Sequence, residues 1–136
     1  MLSKKTSLTI RFDDADPAGV VFYPRAIALA HHAVEDLIRE SALGWEAWFN
    51  SPTSAAPLRH AEADFFLPMR PGEVFTVCTA VEELGTASVA FLVEFADARG
   101  QTAARIRTVH VLIDTATGRP LALSDEIRRA LAAAAV

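Results

Sequence analysis

The residue best placed to do chemistry is Asp16. It lies inside the run Phe-Asp-Asp-Ala-Asp-Pro-Ala-Gly-Val-Val-Phe-Tyr-Pro at positions 12–24. Directly after it comes a Pro17-Ala18-Gly19 turn, then an apolar stretch, then Pro24 at the start of a helical pattern. Proline suits a first helical turn, because the N–H it lacks would have no partner there. A carboxylate can attack an activated acyl carbon, or take a proton from water that attacks one. The oxyanion that develops needs donors. An opening helix supplies unpaired backbone N–H groups and the positive end of its dipole, and here those donors fall at Val21 to Tyr23. The competing reading of an Asp before Pro is a turn former or a helix cap with no chemistry.

The complete run favours chemistry, because it resembles the active-site segment of the 4-hydroxybenzoyl-CoA thioesterase group of hotdog-fold enzymes. Asp16, Pro17, Ala18, Gly19, Tyr23 and Pro24 carry the resemblance. It implies that Asp16 is the nucleophile or general base and that the Tyr23 backbone N–H polarises the thioester carbonyl. Gly19, Val21, Phe22 and Pro24 become substrate-binding positions. A thioester has a good thiolate leaving group, so one carboxylate can be enough. A looser likeness downstream places residues 57–65, with His60, on a strand lining the cleft; a structural hydrogen bond is the alternative for His60. Coenzyme A is then the substrate's handle, and no retained cofactor or metal is implied. Subunits of the family pair their sheets, so a homodimer or a homotetramer, a dimer of dimers, is expected.

The acyl group is read from smaller departures. Short-chain thioesterases of the Tol–Pal-associated type resemble this run but place His where Pro24 stands here. That difference points to aromatic acyl-CoA, of the 4-hydroxybenzoyl or 1,4-dihydroxy-2-naphthoyl kind. The stretch Arg59-His60-Ala61-Glu62 looks nearer to the dihydroxynaphthoyl enzymes. The rivals are a thioesterase for aliphatic acyl-CoA or acyl carrier protein, and a non-catalytic acyl-CoA binding module.

The elements that must hold Asp16 follow from periodicity. Leu8, Ile10 and Phe12 alternate with polar residues, the pattern of a half-buried strand. From Pro24 to about Glu40 the period becomes helical, with Ile27, Ala30, Val34, Leu37 and Ile38 in step. Strands are predicted over 58–67, 74–81, 87–95 and 103–113, and 50–56 reads as a loop. Ser124 offers an N-cap, with Asp125 and Glu126 favoured in the first turn of a short C-terminal helix. Strands clustered after a helix give an α+β class with an antiparallel sheet of about five strands. Apolar or Ala positions on most faces of the long helix suggest that the sheet covers it. Only the resemblance supplies the word hotdog for a sheet wrapped around one central helix.

Composition limits the alternatives. A chain of 136 residues, 51% hydrophobic and 22% charged, is expected to form one folded domain over 1–136. A net charge of −4 argues against a nucleic-acid surface. The single Cys78 allows no internal disulfide and reads as a packed thiol. No signal-peptide core or membrane-spanning run is apparent, and a cytoplasmic protein is expected. Adjacent His31 and His32 point in different directions on a helix and lack metal-ligand spacing, although His31 and Glu35 share a face. His110 reads as a core-edge histidine, and Asp13 and Asp14 as solvated loop charges. There is no Gly-x-Ser-x-Gly elbow, dinucleotide fingerprint or phosphate-binding loop.

Overall fold

The structure, a computed structural model, describes residues 1–133. The end of the small apolar tail at 130–136 therefore lies outside the described residues. Strand β1 (Ser3–Thr9) leads through a 3₁₀ turn (Phe12–Asp14) to the long helix α1 (Tyr23–Glu40) and a short helix α2 (Trp45–Phe49). There follow β2 (Ser54–Ala55), β3 (Leu58–Phe65), β4 (Val74–Leu84), β5 (Ser88–Ala96), β6 (Thr102–Val111), β7 (Ile113–Asp114) and α3 (Asp125–Ala132).

The main sheet has five strands in the order β1-β4-β5-β6-β3, every neighbouring pair antiparallel; β2 and β7 form a separate two-stranded ribbon. The inner face of the sheet presents Phe75 and Val77 from β4, Val89, Phe91, Val93 and Phe95 from β5, and Ile106 from β6. Against it α1 sets Ala26, Ala30, Val34, Leu37 and Ile38, all buried and spaced by three, four or one, as one face of a helix requires. Each large apolar side chain buried in this way contributes about 1.5–3 kcal/mol. The α+β antiparallel sheet with one long helix and a short C-terminal helix is the hotdog arrangement.

Three local expectations change. The first strand runs earlier than its alternation suggested, over Ser3–Thr9, because its partner β4 begins at Val74, opposite Thr9. Phe12 therefore leaves the sheet and stands 91% exposed. The stretch read as a loop at 50–56 contains β2, whose Ser54 and Ala55 pair with Asp114 and Ile113. Helix α1 is covered along one face only, while Ile27 and Ala28 border an open cleft.

Strand β3 is an edge, and its outer backbone groups face no other strand among the described residues. Its register fixes two faces. Ala61, Ala63 and Phe65 lie opposite Thr108, Ile106 and Ala104 on the α1 side, while His60, Glu62 and Asp64 lie opposite Val109, Arg107 and Arg105 on the outer side. No helix among the described residues is long and apolar enough to cross a membrane.

Candidate active site

The run from Phe12 to Pro24 folds back on itself as a tight ribbon. The Asp16 N–H donates to the Val20 carbonyl at 3.0 Å, and the Gly19 N–H to the Asp16 carbonyl at 2.9 Å. Ala15 bridges Val21 in antiparallel fashion. Pro17 presets the first turn position, and Gly19, at φ +78°, takes the left-handed place that closes a three-residue loop. Asp16 accepts the Ala18 N–H on Oδ1 at 2.8 Å. Its Oδ2 has no hydrogen-bond partner among the described residues.

The ribbon then delivers the chain into α1. The Val21 N–H donates to the Met69 carbonyl at 2.8 Å, and the Phe22 N–H to the Asp14 carbonyl at 3.1 Å. Phe22 is extended, at φ −66° and ψ 128°, and serves as N-cap. Its carbonyl takes the N–H groups of Arg25 and Ala26 at 2.8 and 3.2 Å. Pro24 has no N–H. Among the described residues, the free donor in this first turn is the Tyr23 N–H, at the positive end of an 18-residue helix.

Asp14 holds this arrangement together, and it corrects the expectation of a solvated charge. Only 2% exposed, it accepts the Arg11 N–H on Oδ2 at 2.8 Å and the Arg25 guanidinium on Oδ1 at 2.7 Å. Burial alone would push its carboxyl up. The Arg11 hydrogen bond, the Arg25 hydrogen bond and the charges of both arginines together hold it below the usual carboxylate value.

Two clefts flank the first turn of α1. The smaller, about 240 Å³, lies between Val20, Val21 and Tyr23 on one side and the segment 65–69 on the other. The larger, about 610 Å³, runs between α1 and strands β3, β5 and β6, from Pro24 past Ile27 and Val34 to Ile106 and His110. A volume of this size is within the usual range of small-molecule sites. His31 stands at its partly exposed side, its Nε2 2.9 Å from Glu35 Oε2. Glu35 also accepts the Trp45 indole N–H at 3.1 Å. That bond, against burial and with the nearby charges of His31 and His32, holds its carboxyl below the usual value.

The positions read from the sequence therefore divide. Asp16, Gly19, Val21, Phe22, Tyr23 and Pro24 are gathered on one ribbon and helix opening, with Val21 and Tyr23 lining the smaller cleft and Pro24 the larger. His60 is not brought to them. It faces away from α1, exposed beside Glu62 at 3.6 Å, because the β3–β6 register turns it outward. Missing from the sequence reading were Asp14 and the cleft position of His110. The alternation that puts His110 on the same strand face as Ile106 and Thr108 is the sequence signal that could have found it.

Residues 10–131 match the family model described as the thioesterase-like superfamily. The chain is 32% identical over 119 residues to a 1,4-dihydroxy-2-naphthoyl-CoA hydrolase of Nostoc punctiforme, covering 88% of this chain and 80% of that protein. It is 31% identical over 121 residues to the protein of the same name in Gloeothece citriformis, covering 86% and 83%. A 1,4-dihydroxy-2-naphthoyl-CoA thioesterase from Synechocystis superimposes with a TM-score of 0.86 at 24% identity over 96% of both chains, a likeness of fold.

Proposed function

The chain belongs to the thioesterase-like superfamily, and we propose that it hydrolyses an aromatic acyl-CoA, of the 1,4-dihydroxy-2-naphthoyl type, to the free acid and coenzyme A. The observation that carries this reading is the free Tyr23 N–H at the opening of α1, between two clefts, on the same folded ribbon as Asp16. The relatives' names support the acyl group.

In this reading the thioester carbonyl oxygen accepts the Tyr23 N–H. The negative charge that develops on that oxygen is stabilised by a fixed donor and the helix dipole, at no cost of reorganisation. Asp16 has two routes. It attacks the carbonyl carbon, expelling the coenzyme A thiolate and leaving a mixed anhydride that water opens. Alternatively it takes a proton from water, and the hydroxide attacks while the thiolate leaves and is protonated. The acyl group fills the larger, apolar cleft. His60, turned to the outer face of β3, receives no substrate contact within the protomer.

Two features support an assembly in which a second copy completes the site. Strand β3 is an edge with no outer partner among the described residues, and exposed edges are a liability that pairing removes. Beside it Phe22, Tyr23, Phe65 and Phe66 are all exposed. A homodimer through β3, alone or doubled to a tetramer, covers both. The test is a hydrolysis screen with a thiol-reactive dye across aromatic and aliphatic acyl-CoAs. Release of coenzyme A from aromatic substrates is the expected result, and no release from any acyl-CoA overturns the reading.

A further inference from the structure

The larger cleft is apolar along most of its length, lined by Ile27, Val34, Leu58, Val93 and Ile106. At its inner wall sits a histidine whose two nitrogens have been given different tasks. His110 is only 9% exposed. Its Nδ1 lies 3.0 Å from the Ala56 carbonyl oxygen. A carbonyl oxygen can only accept, so Nδ1 carries the proton. In the neutral ring Nε2 is then an unprotonated acceptor. Burial favours that neutral ring, opposing the Ala56 bond and joined by the charge of His31, and the net effect holds the pKa of His110 below its usual value. Nε2 has no partner among the described residues, yet it is not among buried atoms cut off from all contact, so it is reachable from the cleft.

We propose that His110 is the specificity-determining residue that accepts a hydrogen bond from a hydroxyl group on the acyl ring. This rests on the thioesterase reading above and deepens it, by naming the chemistry the cleft selects: a hydroxylated aromatic acyl group over the same ring without the hydroxyl. A phenolic hydroxyl is a strong donor, and the imidazole Nε2 meets it at the inner wall of a mostly apolar cleft, which a bound ring would cover. An unsubstituted ring would cover Nε2 without pairing it, and leaving a buried polar group unpaired is what makes such sites reject the analogue. His31 is the other imidazole on this cleft, but it is half exposed and its Nε2 is engaged by Glu35. Water can replace a lost contact there, so it discriminates weakly. The Phe91 and His110 rings meet in a T-shaped arrangement, with centroids 5.7 Å apart and planes at 76°, and this packing holds the imidazole plane in place.

The test compares kcat/KM for two substrate pairs, 4-hydroxybenzoyl-CoA against benzoyl-CoA and 1,4-dihydroxy-2-naphthoyl-CoA against 2-naphthoyl-CoA. The native enzyme should prefer the hydroxylated member of at least one pair by about tenfold, within the range that an unpaired buried acceptor costs. In His110→Asn the side-chain amide keeps the bond to the Ala56 carbonyl but leaves nothing at the Nε2 position. The preference should fall to less than about threefold, by loss of the hydroxylated substrate's advantage. As a second measurement on the unmodified chain, the ¹⁵N shift of His110 Nε2 should move on binding 4-hydroxybenzoate and not on binding benzoate. Hydrolysis with an unchanged preference in His110→Asn, or equal ¹⁵N shifts with both acids, overturns the role of His110 and leaves the thioesterase reading standing. Hydrolysis of no aromatic acyl-CoA overturns both.

Discussion

Asp14 and Arg25 are joined by a 2.7 Å ion pair across eleven positions of sequence, one in the turn before the Asp16 ribbon and the other in the first turn of α1. The pair ties the two halves of the site to each other. The Asp14 carbonyl also receives the Phe22 N–H, so one residue fixes both the cap of α1 and the guanidinium that follows it. The free Tyr23 N–H is aimed by this clamp. Replacing Asp14 with Asn should cost about 1–3 kcal/mol of stability, the usual penalty for weakening the partner of a buried donor. Because Asp14 acts by positioning, kcat should fall about tenfold or more while KM changes little. Calorimetry and steady-state kinetics measure the two effects; equal losses in kcat and in folded fraction would mean that Asp14 is only structural.

The same carboxylate sets an acid limit. Its pKa in the folded chain is held below the ordinary aspartate value, so the folded state favours the ionised form. The resulting stability is fully present above the unfolded value and is lost as pH falls through the folded one. Thermal melts between neutral pH and pH 2 should therefore show a loss below about pH 4. In Asp14→Asn that part of the acid dependence should be absent, leaving a flatter curve. An identical acid limb in both chains would show that other carboxylates carry it.

Asp16 is predicted to be dispensable for folding and required for turnover. Asn in its place can still accept the Ala18 N–H on its side-chain oxygen, so the ribbon should survive. What it loses is the nucleophile or base. Turnover should drop at least about a hundredfold, the usual scale for a positioned acid–base group, while the affinity for a non-hydrolysable acyl-CoA analogue stays within about threefold of the native value, about 0.6 kcal/mol. Near-normal turnover in a folded Asp16→Asn chain would remove Asp16 from the chemistry.

How far the sequence carried depended on the range of the interactions concerned. Helix α1 and strands β4, β5 and β6 were legible because each buries one face along a regular period, a local signal. The ribbon was legible because Asp16, Pro17 and Gly19 have narrow conformational preferences at adjacent positions. Asp14 was not, since nothing local tells an exposed acid from one that will meet Arg25 eleven positions later. His60 was correctly placed on a strand, but which face it takes depends on the register with β6. His110 needed a contact with Ala56 across 54 positions to define its tautomer and hence its use. Phe12 misled because alternation continues past the point where β4 stops offering a partner.

Assembly gives a prediction independent of chemistry. The β3 edge and the exposed aromatics beside it should be covered by a second copy, so light scattering should report at least a dimer of the 14.7 kDa chain. Proline at Ala61, near the middle of β3, removes a backbone donor. Which edge that N–H faces decides the effect, and N–H direction alternates along a strand, so Glu62→Pro, at the next position of β3, is the companion variant. At least one of the two should shift the equilibrium toward monomer and lower activity in parallel. An active native monomer would contradict the assembly.

The cleft beside α1 sets the last expectation. Its walls are Ile27, Val34, Leu58, Val93 and Ile106, with Pro24 at the end nearest the Tyr23 N–H. A flat ring seated there gains about 1.5–3 kcal/mol over a small acyl group that leaves the cleft unfilled, which corresponds to about one to two orders of magnitude in specificity. Aromatic acyl-CoA should therefore exceed acetyl-CoA and butyryl-CoA in kcat/KM by at least about tenfold. Ile27 is only partly buried and borders the open side, so Ile27→Trp can fill the cleft without invading the core. That change should remove most of the aromatic advantage while sparing acetyl-CoA, whose acyl group does not reach so far along the helix. A native enzyme that handles butyryl-CoA as efficiently as any aromatic substrate, or an Ile27→Trp chain with its aromatic preference intact, would show that the acyl group binds elsewhere.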